Sequence, residues 1–314
     1  MPPGCRLSST VSSFELLSRE FFYPGYLHMK ALNYALTCTH DLFQMPWSWT
    51  IVGTAFLIRT LVNSPFYFYS EKNLAKVLHI SLDCARTSPM LLKKLESSAS
   101  YKQLDPSAAQ KYFKKMNRRV FLKTCEGNHC HPFKSAAAAV IQIPFWLSFS
   151  FTLRYMCGFQ LAPDYGWNYV VPGMITEGLT VACTNAVLPV MVLLAGLANV
   201  ELVYLRQLRS PESITDPNRY SDPFGYKLGR GVGWFVNGLV FSAAVFLPKA
   251  MVIYWCTSSV HQFLTHLIVM HPGVRKRFGI WLRPHEGERP YRMLFLQIRS
   301  RYRLLRYIYT KRTE

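Results

Sequence analysis

The sequence has 314 residues, of which 50% are hydrophobic, and it carries a formal net charge of +19. A charge of this size suggests a nucleic-acid partner, but the basic residues fall in separate segments, which argues against that class of protein. The mean hydropathy is only slightly positive because these basic segments dilute long apolar runs, so it does not indicate a soluble protein.

The first 45 residues give a weak signal. Three basic residues and several serines resemble a mitochondrial presequence, whereas Glu15 and Glu20 argue against one. The alternative is an amphipathic helix from Phe14 to Leu42 that lies on the outer face of a membrane. Segment 1–45 is therefore predicted to be a targeting or outer-side amphipathic segment.

Residues 46–69 contain a single charged side chain, Arg59. At about 1.5 Å per residue this stretch makes a helix long enough to cross a bilayer. A charge at mid-bilayer depth costs about 2.5 kcal/mol or more unless it faces water or a partner. Arg59 is therefore predicted to line a polar cavity inside the membrane. The alternatives are an arginine that reaches to a lipid headgroup, or one that neutralises a fixed carboxylate.

Residues 70–131 carry twelve Lys and Arg against five acids. Apolar residues recur at helical spacing, Ser88-Pro89 interrupts the run, and Asp105-Pro106 predicts a helix N-terminus. We expect an antiparallel helical hairpin whose lysines form a solvated face close to lipid. Contact with a nascent chain or ribosomal RNA is the alternative.

A cluster of cysteines and histidines follows at Cys125, His129, Cys130 and His131. It is tight enough to suggest zinc, but the spacing does not match a tetrahedral site. We therefore expect no metal here, and interpret His131 as the start of a span with Pro132 in its first helical turn.

Four further stretches are nearly free of charge and long enough to cross a membrane. The last two are separated only by the Leu247-Pro248-Lys249 corner and should form a tight helical hairpin. The fold class predicted is an all-α integral membrane protein with five transmembrane helices. The spans after 46–69 are 134–156, 186–206, 232–248 and 250–270.

Basic and non-basic segments alternate with each predicted crossing. Residues 157–185 carry no Lys or Arg, whereas the tail 271–314 carries twelve. The positive-inside rule then predicts an outer N-terminus and an inner C-terminus. Cys157 and Cys183 flank the outer loop and would form a disulfide if that side is oxidising, or else remain free thiols. The tail is expected to lie on anionic lipid, with ribosome binding as the alternative.

Several motifs resemble the core helices of the YidC/Oxa/Alb membrane insertases. Those matching the first and second core helices are Phe56-Leu-Ile-Arg-Thr60 with Pro65, His131-Pro-Phe-Lys134 and Gln142-Ile-Pro-Phe-Trp146. Those matching the third and fifth are Ala186-Val-Leu-Pro189 and Leu247-Pro-Lys-Ala-Met-Val-Ile-Tyr-Trp255 with Thr257-Ser-Ser259. The run Cys130-His-Pro-Phe-Lys134 resembles the mitochondrial branch of the family that acts in cytochrome c oxidase assembly.

The resemblance implies a five-helix core, 46–270, with a hydrophilic groove open to the inner side and to lipid. Arg59 would offer a positive point in that groove to polar or acidic segments of a client protein. Glu201 would lie beside Arg206 or pair with Arg59. The other candidate groove residues are Asn63, Gln142, Asn237, Thr257 and Ser258. No catalytic residue, cofactor or metal is expected.

The function that the resemblance implies is insertion of a membrane client in the mitochondrial inner membrane, without enzymatic chemistry. The favoured client is the C-terminal tail of cytochrome c oxidase subunit 2, with lipid and other assembly factors as further partners. A general ribosome-associated insertase, an anion or small-solute transporter that uses Arg59, and an assembly scaffold remain the alternatives.

Overall fold

The computed structural model describes residues 21–98, 101, 103–158, 170–206, 224–284, 286 and 288–302, and these contain helices and no strand. The all-α class is therefore confirmed. The helices are α1 Leu27–Phe43, α2 Trp47–Ile58, α3 Ser64–Glu96, α4 Pro106–Gly127, α5 Ala137–Met156, α6 Pro172–Thr176, α7 Val187–Arg206, α8 Phe224–Phe246, α9 Lys249–Met270, α10 Pro272–Phe278 and α11 Pro290–Arg301. A π-helical turn, Arg59–Asn63, joins α2 to α3, and a 3₁₀ turn, Pro132–Ala136, precedes α5.

Within the described part of the chain, four helices are long and apolar enough to cross a membrane. They are Trp47–Glu96, Pro132–Met156, Val187–Arg206 and Phe224–Phe246, and they coincide with the first four predicted spans. The fifth predicted span, 250–270, is the 22-residue helix α9, but it does not reach the hydropathy of the other four. Polar residues on α9, such as His261, lower its hydropathy, and its crossing of the membrane stays a prediction.

Two helix boundaries differ from those expected. The fourth span begins at Phe224 rather than at 232. Ser88-Pro89 does not interrupt a helix, because Pro89 lies inside α3 and the helix continues to Glu96. Pro89 and Ala85 are both exposed, so water can bind the Ala85 carbonyl that the missing proline N–H leaves free.

The contacts divide the chain into two compact units. The first comprises Met1–Arg59, Gln142–Gly196 and Val236–His261, and the second comprises Thr60–Ile141, Leu197–Phe235 and Gln262–Glu314. The core of the first unit is built from buried side chains of α1, α2, α5, α7, α8 and α9 and of the segment before α7. Its most enclosed members include Leu36, Ile51, Phe149, Leu153, Met174 and Val252.

Helix α1 packs against α2 in the first unit and buries Leu32 and Leu36, while Phe43 is exposed. A helix is thus observed over Leu27–Phe43 of the predicted stretch Phe14 to Leu42, its position on the outer face of a membrane stays a prediction, and residues 1–20 lie outside the described part of the chain. Cys157 and Cys183, which were candidates for a disulfide, are both free thiols.

The start of α2 is capped by a distant carboxylate. Pro46 stands at the N-cap and has no side chain that could accept a hydrogen bond. Glu177 takes this role: it accepts bonds from the backbone N–H of Trp47 at 2.5 Å and of Ser48 at 3.0 Å. A negative charge at a helix N-terminus satisfies free N–H groups and complements the helix dipole. The segment before α7 is thereby attached to the first membrane-length helix.

The second unit contains the helical hairpin. Helices α3 and α4 pack against each other, and Asp105 caps α4 by accepting a hydrogen bond from Ser107 N at 3.1 Å, as predicted. The hairpin encloses a small core around Val77 and Ile80, together with three cysteines. Asn73 of α3 holds the chain that leaves the hairpin, because its amide bonds to both the carbonyl and the N–H of His131.

Candidate functional site

Arg59 is buried, with 1% of its surface exposed, although it lies in a helix of membrane-spanning length. It begins the π-helical turn Arg59–Asn63, the type of helix irregularity that is frequent at functional sites. In the first unit its guanidinium is in electrostatic contact with the hydroxyl of Tyr254 and the imidazole of His261. Two polar groups therefore lie beside the buried arginine, while the polar cavity expected around it stays a prediction.

The neighbours of Arg59 come from one face of α9. Tyr254, Ser258 and His261 follow each other at helical spacing and are all buried. Ser258 lies beside the Tyr254 hydroxyl, and the His261 ring packs edge-on against Phe56, with ring centroids 4.8 Å apart. Sequence reasoning found Ser258 but missed Tyr254 and His261. Their spacing from Ser258 along the helix, four and three residues, was the available signal.

The other predicted groove residues have different surroundings. Thr257 is bound to its own helix, because its hydroxyl donates to the Ile253 carbonyl at 2.9 Å. The Asn237 amide lies directly over Gly196, where a Cβ atom would come 1.7 Å from its oxygen. Asn237 therefore contributes to the close packing of α7 and α8.

The remaining two candidates occupy membrane-length helices. Gln142 is half-buried in α5. Asn63 ends the π-helical turn and is buried, and its side-chain amide makes no hydrogen bond within the described part of the chain. A buried amide of this kind can bind a polar group that enters the membrane region. Asn63 thus keeps its place among the candidate residues.

Both expectations for Glu201 are wrong, because it pairs with Arg230. The two side chains form a bidentate ion pair with distances of 2.8 and 2.9 Å. Trp234 and Tyr302 also donate to the Glu201 carboxylate, at 2.8 and 2.5 Å. The physical reason is the early start of α8 at Phe224, which makes Arg230 a helical residue beside α7 instead of a loop residue.

Arg206 belongs to a buried cluster of five charges in the second unit, which we call the Glu71 cluster. It comprises Glu71 of α3, Arg206 of α7, Arg275 of α10, and Arg283 and Glu286 of the segment after α10. Each of these side chains is at most 6% exposed.

Glu71 is the centre of this cluster. Its carboxylate accepts bonds from Arg206 at 2.9 Å, from Arg275 at 2.5 Å and from Arg283 at 2.9 and 2.7 Å. Glu286 accepts a second bond from Arg206 at 2.8 Å. Burial lowers the pKa of the Arg275 guanidinium, while Glu286 and Glu71 oppose this shift. The two carboxylates thus offset part of the positive charge of three buried arginines.

The Glu71 cluster corrects the expectation for the basic tail. Arg275 and Arg283 were expected to contact anionic lipid or a ribosome, but they are enclosed by carboxylates of the same chain. Residues 303–314, which hold further basic residues, lie outside the described part. Sequence reasoning missed Glu71 because it treated the acids of 70–131 as a minority on a solvated face. The position of Glu71 directly after the first apolar span was the feature of the sequence that could have indicated its burial.

An arginine buried within the first of several membrane-length helices of an all-α chain is the arrangement that a resemblance to the YidC/Oxa/Alb insertases predicts. No family model matches the chain. Comparison with curated proteins confirms the resemblance, because homologues of this chain are cytochrome c oxidase assembly proteins of that family.

The human relative, "Cytochrome c oxidase assembly protein COX18, mitochondrial", is 23% identical over 270 residues, which cover 84% of this chain and 77% of the relative. The protein of the same name from Pongo abelii shows the same identity and coverage. That from Mus musculus is 24% identical over 257 residues, or 80% of this chain and 73% of the relative.

Proposed function

We propose that this chain is a mitochondrial inner-membrane insertase that acts in the assembly of cytochrome c oxidase. The observation that carries the proposal is the burial of Arg59 among polar side chains of α9, in a helix of membrane-spanning length. The homology to mitochondrial COX18 proteins supports the compartment and the role in oxidase assembly.

The proposed mechanism is a reduction of the cost of moving polar groups through the membrane. An unpaired polar group in hydrocarbon costs several kcal/mol. Arg59 would offer such a group a positive charge, and Tyr254, Ser258 and His261 would offer hydroxyl and imidazole partners. This action needs no covalent step, nucleotide or metal. It does require α9 to act as the fifth span and the groove to open toward the inner side.

The client we propose is the C-terminal tail of cytochrome c oxidase subunit 2. The resemblance to the oxidase-assembly branch supports this choice. The distribution of basic residues supports an orientation with the N-terminus in the intermembrane space and the C-terminus in the matrix. In that orientation the hairpin of α3 and α4 lies in the compartment from which the tail departs, and would receive it before it reaches Arg59.

Protease protection in mitochondria depleted of this chain tests the proposal. Newly made subunit 2 is labelled, the outer membrane is opened, and protease is added. We expect the tail to be protected in depleted mitochondria and digested again when the wild-type chain is supplied. A tail that is digested equally with and without the chain contradicts the proposed client.

Point variants then test the role of Arg59. Arg59→Gln should leave the tail protected, Arg59→Lys should restore part of its export, and Lys72→Gln should behave as wild type. Lys72 is the matched control because it is an exposed cation of the same continuous helix. Full export of the tail by the Arg59→Gln variant would show that Arg59 is not required for the proposed mechanism.

A further inference from the structure

Helix α4 ends in a Schellman motif whose two contacting positions are both cysteines. The N–H of Cys130 donates to the Cys125 carbonyl at 2.9 Å, and the N–H of His129 donates to the Glu126 carbonyl at 3.0 Å. His129 has the left-handed conformation that this motif requires, with φ of 53°. The motif brings the side chains of its first and last residues together, and these are usually apolar. Here they are the thiols of Cys125 and Cys130.

The two thiols touch each other inside the hairpin core. Cys125 and Cys130 are 0% and 2% exposed, and their side chains are within hydrogen-bond reach of each other. Cys84 of α3 lies close by, with 9% of its surface exposed. Burial, together with the neighbouring Cys130 and Cys84, raises the pKa of the Cys125 thiol to about 12. Since both cysteines are also enclosed, they react slowly with bulky or charged reagents.

The chain is fixed on both sides of this pair. Cys125 belongs to the last full turn of α4, whereas Cys130 precedes His131, which Asn73 holds through bonds of 2.7 and 3.1 Å. The Asn73 amide also donates to the Ser135 hydroxyl at 2.7 Å. The backbone around the two cysteines is therefore held by α4 on one side and by α3 on the other, so the thiols stay neighbours.

We propose that Cys125 and Cys130 form a redox-active dithiol that hydrogen peroxide converts to an intramolecular disulfide. In the first step one thiol attacks the peroxide, its sulfur becomes a sulfenic acid, and one water leaves. In the second step the other thiol attacks that sulfur, the S–S bond forms, and a second water leaves. Peroxide is reduced by two electrons and the dithiol is oxidised by two. A small neutral oxidant can reach a buried pair that larger or charged reagents cannot.

The consequence of this disulfide is local. It closes a loop of only a few residues, so its effect on the global free energy of unfolding is small. It fixes the end of α4 to the segment that begins the second membrane-length helix. Cys84 is the competing partner: a disulfide from Cys84 to either residue would instead link α3 to α4.

Mass spectrometry of the full chain in lipid nanodiscs tests the proposal. The protein is treated with hydrogen peroxide, unfolded, alkylated and digested with trypsin. Residues 124–134 form one tryptic peptide that holds Cys125 and Cys130 and no other cysteine, so the disulfide appears as loss of two hydrogens and of both alkylation sites. We expect this peptide to be the main oxidised product and the chain to stay monomeric on a non-reducing gel.

Cysteine variants distinguish the Cys125–Cys130 disulfide from other oxidation products. Cys125→Ala and Cys130→Ala should each abolish the product, whereas Cys84→Ala should retain it. Cys38, an exposed thiol, is the internal control and should be oxidised to sulfinic or sulfonic acid. Full alkylation of the 124–134 peptide after peroxide would overturn the proposal, and so would a cross-link between Cys84 and this peptide as the main product.

Discussion

The structure buries arginines in two different environments. Arg59 lies beside a tyrosine hydroxyl and a histidine ring. Arg275 and Arg283 instead meet the carboxylates of Glu71 and Glu286. Buried charges that pair with opposite charges have a structural role. Removing one partner leaves the others buried without compensation for their lost hydration, which lowers the free energy of unfolding. The difference separates a structural use of buried arginine from the functional use that we propose for Arg59.

The largest expected effect is that of Glu71→Ala, which leaves three buried arginines with one carboxylate. We expect a loss of about 3–5 kcal/mol in the free energy of unfolding. Denaturant unfolding of the detergent-solubilised chain measures it. The control is Asp83→Ala in the same helix, whose ion pair with Arg86 is exposed and should contribute at most about 1 kcal/mol. Equal effects of both variants would show that the Glu71 cluster is not a centre of stability.

Gly196→Ala tests whether Asn237 belongs to helix packing or to the Arg59 site. The added methyl group would meet the Asn237 amide, so we expect a loss of about 1–3 kcal/mol in the free energy of unfolding. The double variant with Asn237→Ala should recover most of this loss, because the obstructing amide is gone. Additive losses in a double-mutant cycle would contradict the contact.

Tyr302→Phe removes one of the donors to Glu201 while Arg230 and Trp234 remain. The expected loss is about 1 kcal/mol in the free energy of unfolding, since the carboxylate keeps its other partners. Thermal unfolding of matched samples detects a change of this size. Tyr291→Phe is a suitable comparison because Tyr291 donates to a neutral carbonyl, that of Leu267. A larger loss for Tyr291→Phe would argue against a special role of the Glu201 pair.

Arg59→Gln distinguishes a functional from a structural role of this buried arginine. If Arg59 serves the client, the variant should lose tail export while its free energy of unfolding changes much less than that of Glu71→Ala. Limited proteolysis of the same membranes checks that the variant is folded. A variant that unfolds as readily as Glu71→Ala would place Arg59 with the structural arginines.

The sequence predicted the features that depend on local composition. Membrane-length apolar runs, the cap at Asp105 and the depth of Arg59 are local, and the first four spans and the cap are observed. The partners of Glu71, Arg206 and Glu201 could not be predicted in the same way. They come from segments far apart in the chain, and their pairing depends on how the helices pack.

Helix boundaries were uncertain for a related reason. The glycine-rich start of α8 has low helix propensity, yet the helix extends back to Phe224, since tertiary packing overrides propensity. Within the Arg59 site, Tyr254 and His261 were overlooked because aromatic residues and histidines in a span have many ordinary roles. Only the burial of that face of α9 against Arg59 distinguishes them.

The Glu71 cluster can be completed only late in the translation of the chain. Glu71 and Arg206 leave the ribosome first, and Arg275, Arg283 and Glu286 follow only after α8 and α9 have been made. Until then, the early pair lacks most of its partners, and the second unit cannot reach its final state. In a chain whose translation stops before Arg275, Glu71 and Arg206 would lack their later partners. We expect such a chain to fold incompletely and to be degraded by proteases.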